Sequence, residues 1–156
     1  MQVPFEAGAG PAVLGISNNG WIAGSLFQIV PAAPVISTDA NGHPLPNSTF
    51  TQGSAATIYV SGTGEVSSSM PTGYATAGTQ PGGYKPLLPV SVTIGGSPAF
   101  VQSMGNAPGQ YGVTQINLIV PATVPAAAQP VVVTVGGVSS PPVMLNVQPA
   151  PATSGN

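Results

Sequence analysis

The chain has 156 residues, of which 3% are charged: one lysine (Lys85), no arginine, three carboxylates (Glu6, Asp39, Glu65), a single histidine (His43), no cysteine and a formal net charge of −2. Globular domains are ordinarily about a quarter charged, so this surface must be built from Ser, Thr, Asn, Gln, Gly, Pro and apolar atoms, and one lysine cannot make the basic patch that nucleic acid or an anionic membrane surface requires. Without cysteine there is no disulfide framework, thiolate metal site or cysteine nucleophile, and no run approaches the ~20 apolar residues that span a bilayer.

The opening, MQVPFEAGAG, shows neither the basic nor the apolar region of a secretory signal. From Val13 to Val30, VLGISNNGWIAGSLFQIV, two apolar-rich runs flank a turn at Gly20, which predicts a β-hairpin with strands over 12–17 and 21–30. In the second strand Leu26, Gln28 and Val30 share one face, so that polar Gln28 interrupts the row expected to be buried, while Phe27 and Ile29 make the other face apolar. Trp21, the single tryptophan, follows the turn. A strand apolar on both faces needs cover on both, supplied either by its own domain or by a neighbouring chain. Trp21, Leu26, Phe27, Ile29 and Val30 are therefore the candidate assembly surface.

Further strands are expected over 34–38 and 55–62, with punctuation between them. DANG, Asp39 to Gly42, has a calcium-loop flavour, but the twelfth position counted from Asp39 as the first, which should hold a bidentate glutamate, is Phe50, so a turn is the better reading. His43 has no second imidazole or thiol beside it in the sequence, which argues against a metal site. Asn47-Ser48-Thr49 is a glycosylation sequon that makes Asn47 a candidate glycan acceptor, and Ser67–Ser69 could carry O-glycans. Gly62-Thr63-Gly64 lacks the following helix that a phosphate loop needs. The stretch from Glu65 to Pro89 is too long for a simple turn and reads as a surface excursion. Tyr74, Tyr84 and Tyr111 are loop aromatics able to stack on sugars or to cover core edges.

The remaining strands are expected over 89–95, 98–104, 112–120, 130–136 and 142–148, and alternation marks their buried sides. Val90, Val92 and Ile94 share a face, as do Ile116, Leu118 and Val120, and Val143, Leu145 and Val147; these nine are the expected core. Pro recurs too often for a helix of ten residues, and the 21 Gly and 19 Pro punctuate alternating runs instead of forming a low-complexity tract. Many short strands between turn signals indicate an all-β sandwich. The five ionisable side chains are widely spaced and give no convergent catalytic set, so no enzyme and no cofactor are expected.

PVVVTVGGVSSPPVMLNV, Pro130 to Val147, also reads as a hairpin, and the N-terminal one repeats its layout: Gly20 falls on Gly137 (137 − 20 = 117), Val3-Pro4 on Val120-Pro121 and Ala33-Pro34 on Ala150-Pro151 without a gap. Together MQVPFEAGAG…NNGWIAGSLFQIVPAAPVIST, TIYVSGTGEV, PVSVTIGGSPAFV and QINLIVPATVPAAAQPVVVTVGGVSSPPVMLNV resemble the uncharacterised repeat domain of secreted Acidobacteria (Solibacter-type) proteins, related to immunoglobulin-like IPT/TIG modules. The resemblance spans nearly the whole chain in a permuted sense: residues 33–148 look like one full copy and residues 2–32 like the end of a preceding one. It implies an immunoglobulin-like sandwich in exported, often multi-repeat proteins, and no catalytic residues; the region 73–86 and the Trp21 hairpin depart from the pattern.

The expected organisation is thus an N-terminal hairpin segment (1–32) that links or donates strands, a sandwich (33–148) and a flexible tail (149–156). Bare sheet edges pair with other chains unless charge protects them, and this chain has one lysine. The expected function is a non-enzymatic extracellular or cell-surface subunit that assembles with copies of itself through the hairpin, by strand exchange or β-augmentation. The alternatives are a stalk or adhesion module from a tandem array and a carbohydrate-binding module, with glycans as the partner.

Overall fold

The computed structural model describes residues 8–67, 73, 75 and 83–151. Glu6, Ser68, Ser69, Tyr74 and the expected tail beyond residue 151 lie outside the described residues. Every regular element among those described is a strand: β1 (Gly10–Asn18), β2 (Trp21–Ile29), β3 (Val35–Ile36), β4 (Thr49–Thr51), β5 (Ala55–Ser61), β6 (Val90–Ile94), β7 (Ser97–Asn106), β8 (Val113–Ile119), β9 (Ala128–Val135), β10 (Val138–Ser139) and β11 (Val143–Gln148).

β1 and β2 form a two-stranded sheet of their own, and the other nine strands build the sandwich. One layer runs β3-β5-β8-β7 and the other β6-β9-β11-β4, with β10 on β9. β7 belongs to both: residues 97–99 pair with β6, residues 100–106 with β8. A bulge between Val101 and Ser103 supplies the bend that lets one strand cross between sheets. The opening strand is divided likewise, β3 lying antiparallel to β5 and β4 parallel to β11. This order, four strands facing three with a split first strand, is that of an immunoglobulin-like sandwich.

Period-two alternation drives the core. Ile58 and Val60 from β5, Ile116 and Leu118 from β8, Val92 and Ile94 from β6, Val131, Val133 and Val135 from β9, and Leu145 from β11 are all buried. Val120 and Val147 are buried as well, whereas Val90 and Val143, also expected in the core, are only partly so. Both are the first residue of their strand and pack at the rim, where the opposite layer gives incomplete cover. The outward faces carry amides and hydroxyls that bond one another in place of ion pairs: Thr57 Oγ1 donates to Asn117 Oδ1 (2.8 Å), and Asn117 Nδ2 to Ser103 Oγ (3.0 Å).

Two strands were not anticipated. β4 has three residues and β10 two, lengths at which alternation carries no signal. The expected hairpin over 130–147 is accordingly more complex: β9 turns at Gly136-Gly137 into β10, the chain breaks at Pro141-Pro142, and β11 then rejoins β9.

Candidate assembly surface

The β1–β2 hairpin turns through Asn19 (φ 48°) and Gly20 (φ 85°), the β9–β10 hairpin through Gly136 (φ 56°) and Gly137 (φ 85°). Two consecutive positive φ values are the two-residue type I′ turn, whose twist matches that of the flanking strands. The residues coincide at the sequence offset (136 − 19 = 117), and so does the first rung beyond the turn, since Asn18↔Trp21 maps onto Val135↔Val138.

Further from the turn the two hairpins diverge by one residue. Leu14 pairs with Ser25, but its counterpart Val131 pairs with Val143 instead of Pro142. The break at Pro141-Pro142 has absorbed the extra residue. Beyond it Phe27 and Ile29 take the places of Leu145 and Val147, and Gln28 that of outward Asn146. The expectation that Gln28 interrupts the buried row is therefore corrected: an ungapped alignment runs through a strand break that shifts the register. In the structure Ala12, Leu14, Ile16, Trp21, Phe27 and Ile29 share one face, interrupted by Ser25 opposite Leu14 and by Asn18 opposite Trp21, and Val13, Ile22 and Leu26 lie on the other.

Neither face is closed over. Trp21 is 84% exposed, Leu26 73% and Val30 51%, while Phe27 is 37% exposed and Ile29 partly buried because they lie nearest the sandwich. Ile16 and Ile22, which the sequence reading did not single out, are also largely exposed; their alternation with polar neighbours was visible, but their lack of cover was not. No ionisable side chain occurs between Gly8 and Val30. The hairpin is an uncharged apolar blade.

Its attachment is firm. Ala32 is buried in the core, and the Ala33 amide donates to the Gly62 carbonyl at 2.9 Å. A Cβ at Gly62 would run into the carbonyl oxygen of Ala33, so glycine permits this approach. The Gly62–Gly64 stretch is thus the seat of the linker, a role the sequence reading missed. Between blade and seat lies a cleft of about 600 Å³, lined by Phe27, Ile29, Glu65, Leu88 and Asn106 among others. The buried hydroxyls of Thr63 and Thr114 bond one another there at 2.7 Å, and the buried Asn106 Nδ2 has no hydrogen-bond partner.

The ionisable candidates stand apart from this surface, apart from Glu65 at the cleft. Asp39 Oδ1 accepts the amides of Asn41 (2.8 Å) and His43 (2.9 Å), closing the DANG segment as an Asx-type turn. The backbone bond from His43 is the largest influence and, helped by the weaker one from Asn41, holds the Asp39 carboxyl below its ordinary range against the opposing effect of burial. Among the described residues no three His, Cys, Asp or Glu side chains converge as a metal site. Asn47 and Tyr111 are exposed and Tyr84 is partly buried. The stems of the long excursion pair, with Ser67 N donating to Lys85 O (2.8 Å) and Leu87 N to Glu65 O (2.9 Å).

No family model and no curated protein matches the chain. Among solved structures it is similar to domains 4–9 of the surface layer protein SbsC, at 14% identity and a TM-score of 0.35, over 95% of this chain and 19% of that one. It is also similar to a chimeric titin Z1Z2-Z1Z2 tandem, at 15% identity and a TM-score of 0.31, over 92% of this chain and 65% of that one. The chain spans less than two thirds of either.

Proposed function

We propose that the chain is a non-enzymatic structural module of the cell exterior, joined to another sandwich of its own kind through the β1–β2 hairpin. The observation that carries this reading is the blade itself: a hairpin with the turn, initial register and apolar face of a sandwich's closing element, with that face open at Ile16 and Trp21 and only partly covered at Ala12, Leu14, Phe27 and Ile29. Contiguous apolar surface of this kind marks an interaction site. The exterior location rests on the resemblance to repeats of exported proteins, which also makes exposed Asn47 the proposed glycan acceptor.

Joining in trans gives a filament or surface assembly, and joining in series gives a stalk or adhesion array. Exchange in trans would have to displace a neighbour's β9–β11, which carry four fully or almost fully buried side chains, Val131, Val133, Val135 and Leu145. Augmentation would use the free edges of β3 and β4, which are two and three residues long; edges so short are poor templates.

Size-exclusion chromatography and negative-stain microscopy of the chain, with and without residues 1–31, test the joining. Oligomers or filaments that disappear with the segment would support linkage through the hairpin in trans. Monomers from both forms across the same concentrations would eliminate the filament and leave only the array.

A further inference from the structure

Resting on that linking role, we infer that the hairpin closes the sandwich of a preceding copy of the same repeat within one polypeptide, at a period of 117 residues (137 − 20 = 117). The molecule itself shows what covers such a hairpin. On β9 lies β6, antiparallel, with Val92 opposite Val133 and Ile94 opposite Val131; on β11 lies β4, parallel, with Phe50 beside Val147. Transposed to the blade, a preceding copy's Val92 stands opposite Ile16 and its Ile94 opposite Leu14, while its Phe50 lies beside Ile29. Asn18 and Ser25 are the polar residues on the covered face, at the places of Val135 next to the turn and of Val143 at the rim.

The linker supports the same geometry. Ala33-Pro34 and Ala150-Pro151 match at the sequence offset of 117, although in the ladder Ile29 takes the place of Val147, so the two Ala-Pro segments leave their hairpins one residue apart. Because Ala32 is buried and Ala33 is bonded to Gly62 only a few residues after β2 ends, successive modules share a joint without slack. Such an array is a stiff rod, unlike domains strung on flexible linkers.

The test is a two-module chain in which residues 33–119 precede Val3, the equivalent of Val120, followed by the remainder to Asn156. Amide hydrogen exchange in β1 and β2 is compared with that of the unaltered chain. Pairing on both edges should slow exchange at Leu14, Ile16 and Ile29 by about 100-fold or more. Equal rates overturn the inference. So does a leading copy that fails to fold, because the same strands fold when 120–148 close them.

The chain has no native thiol, so register can be read from a disulfide. Ser91↔Thr134 transposes to Ser91 of the leading copy facing Ser17 on the outer side. Ser91→Cys in that copy with Ser17→Cys should close an intramolecular disulfide; Ser91→Cys with Ile16→Cys, on opposite sides, should not. Equal closure of the two pairs counts against the register. If the unaltered chain forms oligomers that vanish without residues 1–31 and the two-module chain leaves its hairpin unprotected, the linking role stands and the in-series inference falls.

Discussion

The β1–β2 hairpin and the β9–β11 element start from nearly the same instructions and end in opposite states. Both turn through a type I′ pair and share their first rung, yet Val133 is fully buried while its counterpart Ile16 is 62% exposed. Local sequence is enough to make the ladder, because turn chemistry and alternation are local. Burial is not local: it depends on strands distant in the chain, β6 and β4 for one hairpin and none among the described residues for the other. The comparison shows that a hairpin's fold and a hairpin's stability are separately encoded.

The largest effect that would break this contrast is truncation at matched positions. Leu145→Ala removes a side chain that is 1% exposed and should cost about 2–5 kcal/mol, as buried leucine truncations do. Phe27→Ala, at the spatially equivalent site, should change global stability of the unaltered chain by less than about 0.5 kcal/mol. Urea midpoints at unchanged m-value measure both. A comparable loss from Phe27→Ala would mean that the blade is covered by its own sandwich in solution.

A second contrast concerns two glycines with positive φ. Gly62 (φ 71°) lies against the Ala33 carbonyl, whereas Gly20 (φ 85°) has open space around it. Gly62→Ala therefore combines backbone strain with loss of the linker's hydrogen bond and should destabilise the sandwich by about 2–4 kcal/mol. Gly20→Ala carries the conformational cost alone, about 1 kcal/mol, and it falls on a hairpin whose opening does not require global unfolding. Thermal unfolding should separate the two, with a distinct drop in Tm for the first and almost none for the second. Equal drops would show the hairpin unfolding as one unit with the sandwich.

The same division explains how much was legible beforehand. Nine of the strands followed from alternation between Gly and Pro turns, since Val, Ile and Thr at period two have few other solutions. β4 and β10 escaped because two or three residues cannot show a period. The crossing of β7 between layers depends on a bulge at Gln102, and nothing in PAFVQSM announces it. At the candidate surface Trp21, Leu26, Phe27, Ile29 and Val30 were recognisable as apolar on both faces. Their division between the faces by alternation agrees with the ladder, but the face that matches the buried side of β11 was misread, because Pro141-Pro142 shifts pairing by one residue and the shift appears only in the ladder. The seat of the linker on Gly62 was beyond reach, since it is a contact between backbones and leaves no side-chain pattern.

The smallest effect is that of pH, and it should fall on one region alone. No ionisable side chain occurs between Gly8 and Val30, so hairpin exchange, corrected for intrinsic chemistry, should not vary between about pH 3 and 8. In the sandwich Asp39 has a carboxyl pKa lowered chiefly by the backbone hydrogen bond from His43. A lowered folded-state value means that the unfolded chain takes up the proton first, so the contribution is present above the ordinary aspartate range and is lost as pH falls through the lower folded value. The window thus opens below about pH 4. The Asp39 side chain is 35% exposed and screened by solvent, so the urea midpoint should move only slightly downward from pH 7 to pH 3, and Asp39→Asn should remove most of that difference. A large acid-induced loss that survives Asp39→Asn would point to a buried carboxylate interaction elsewhere in the sandwich. A pH dependence of exchange in the hairpin would mean that Glu65, which lines the cleft beside Phe27 and Ile29, lies against it closely enough to couple.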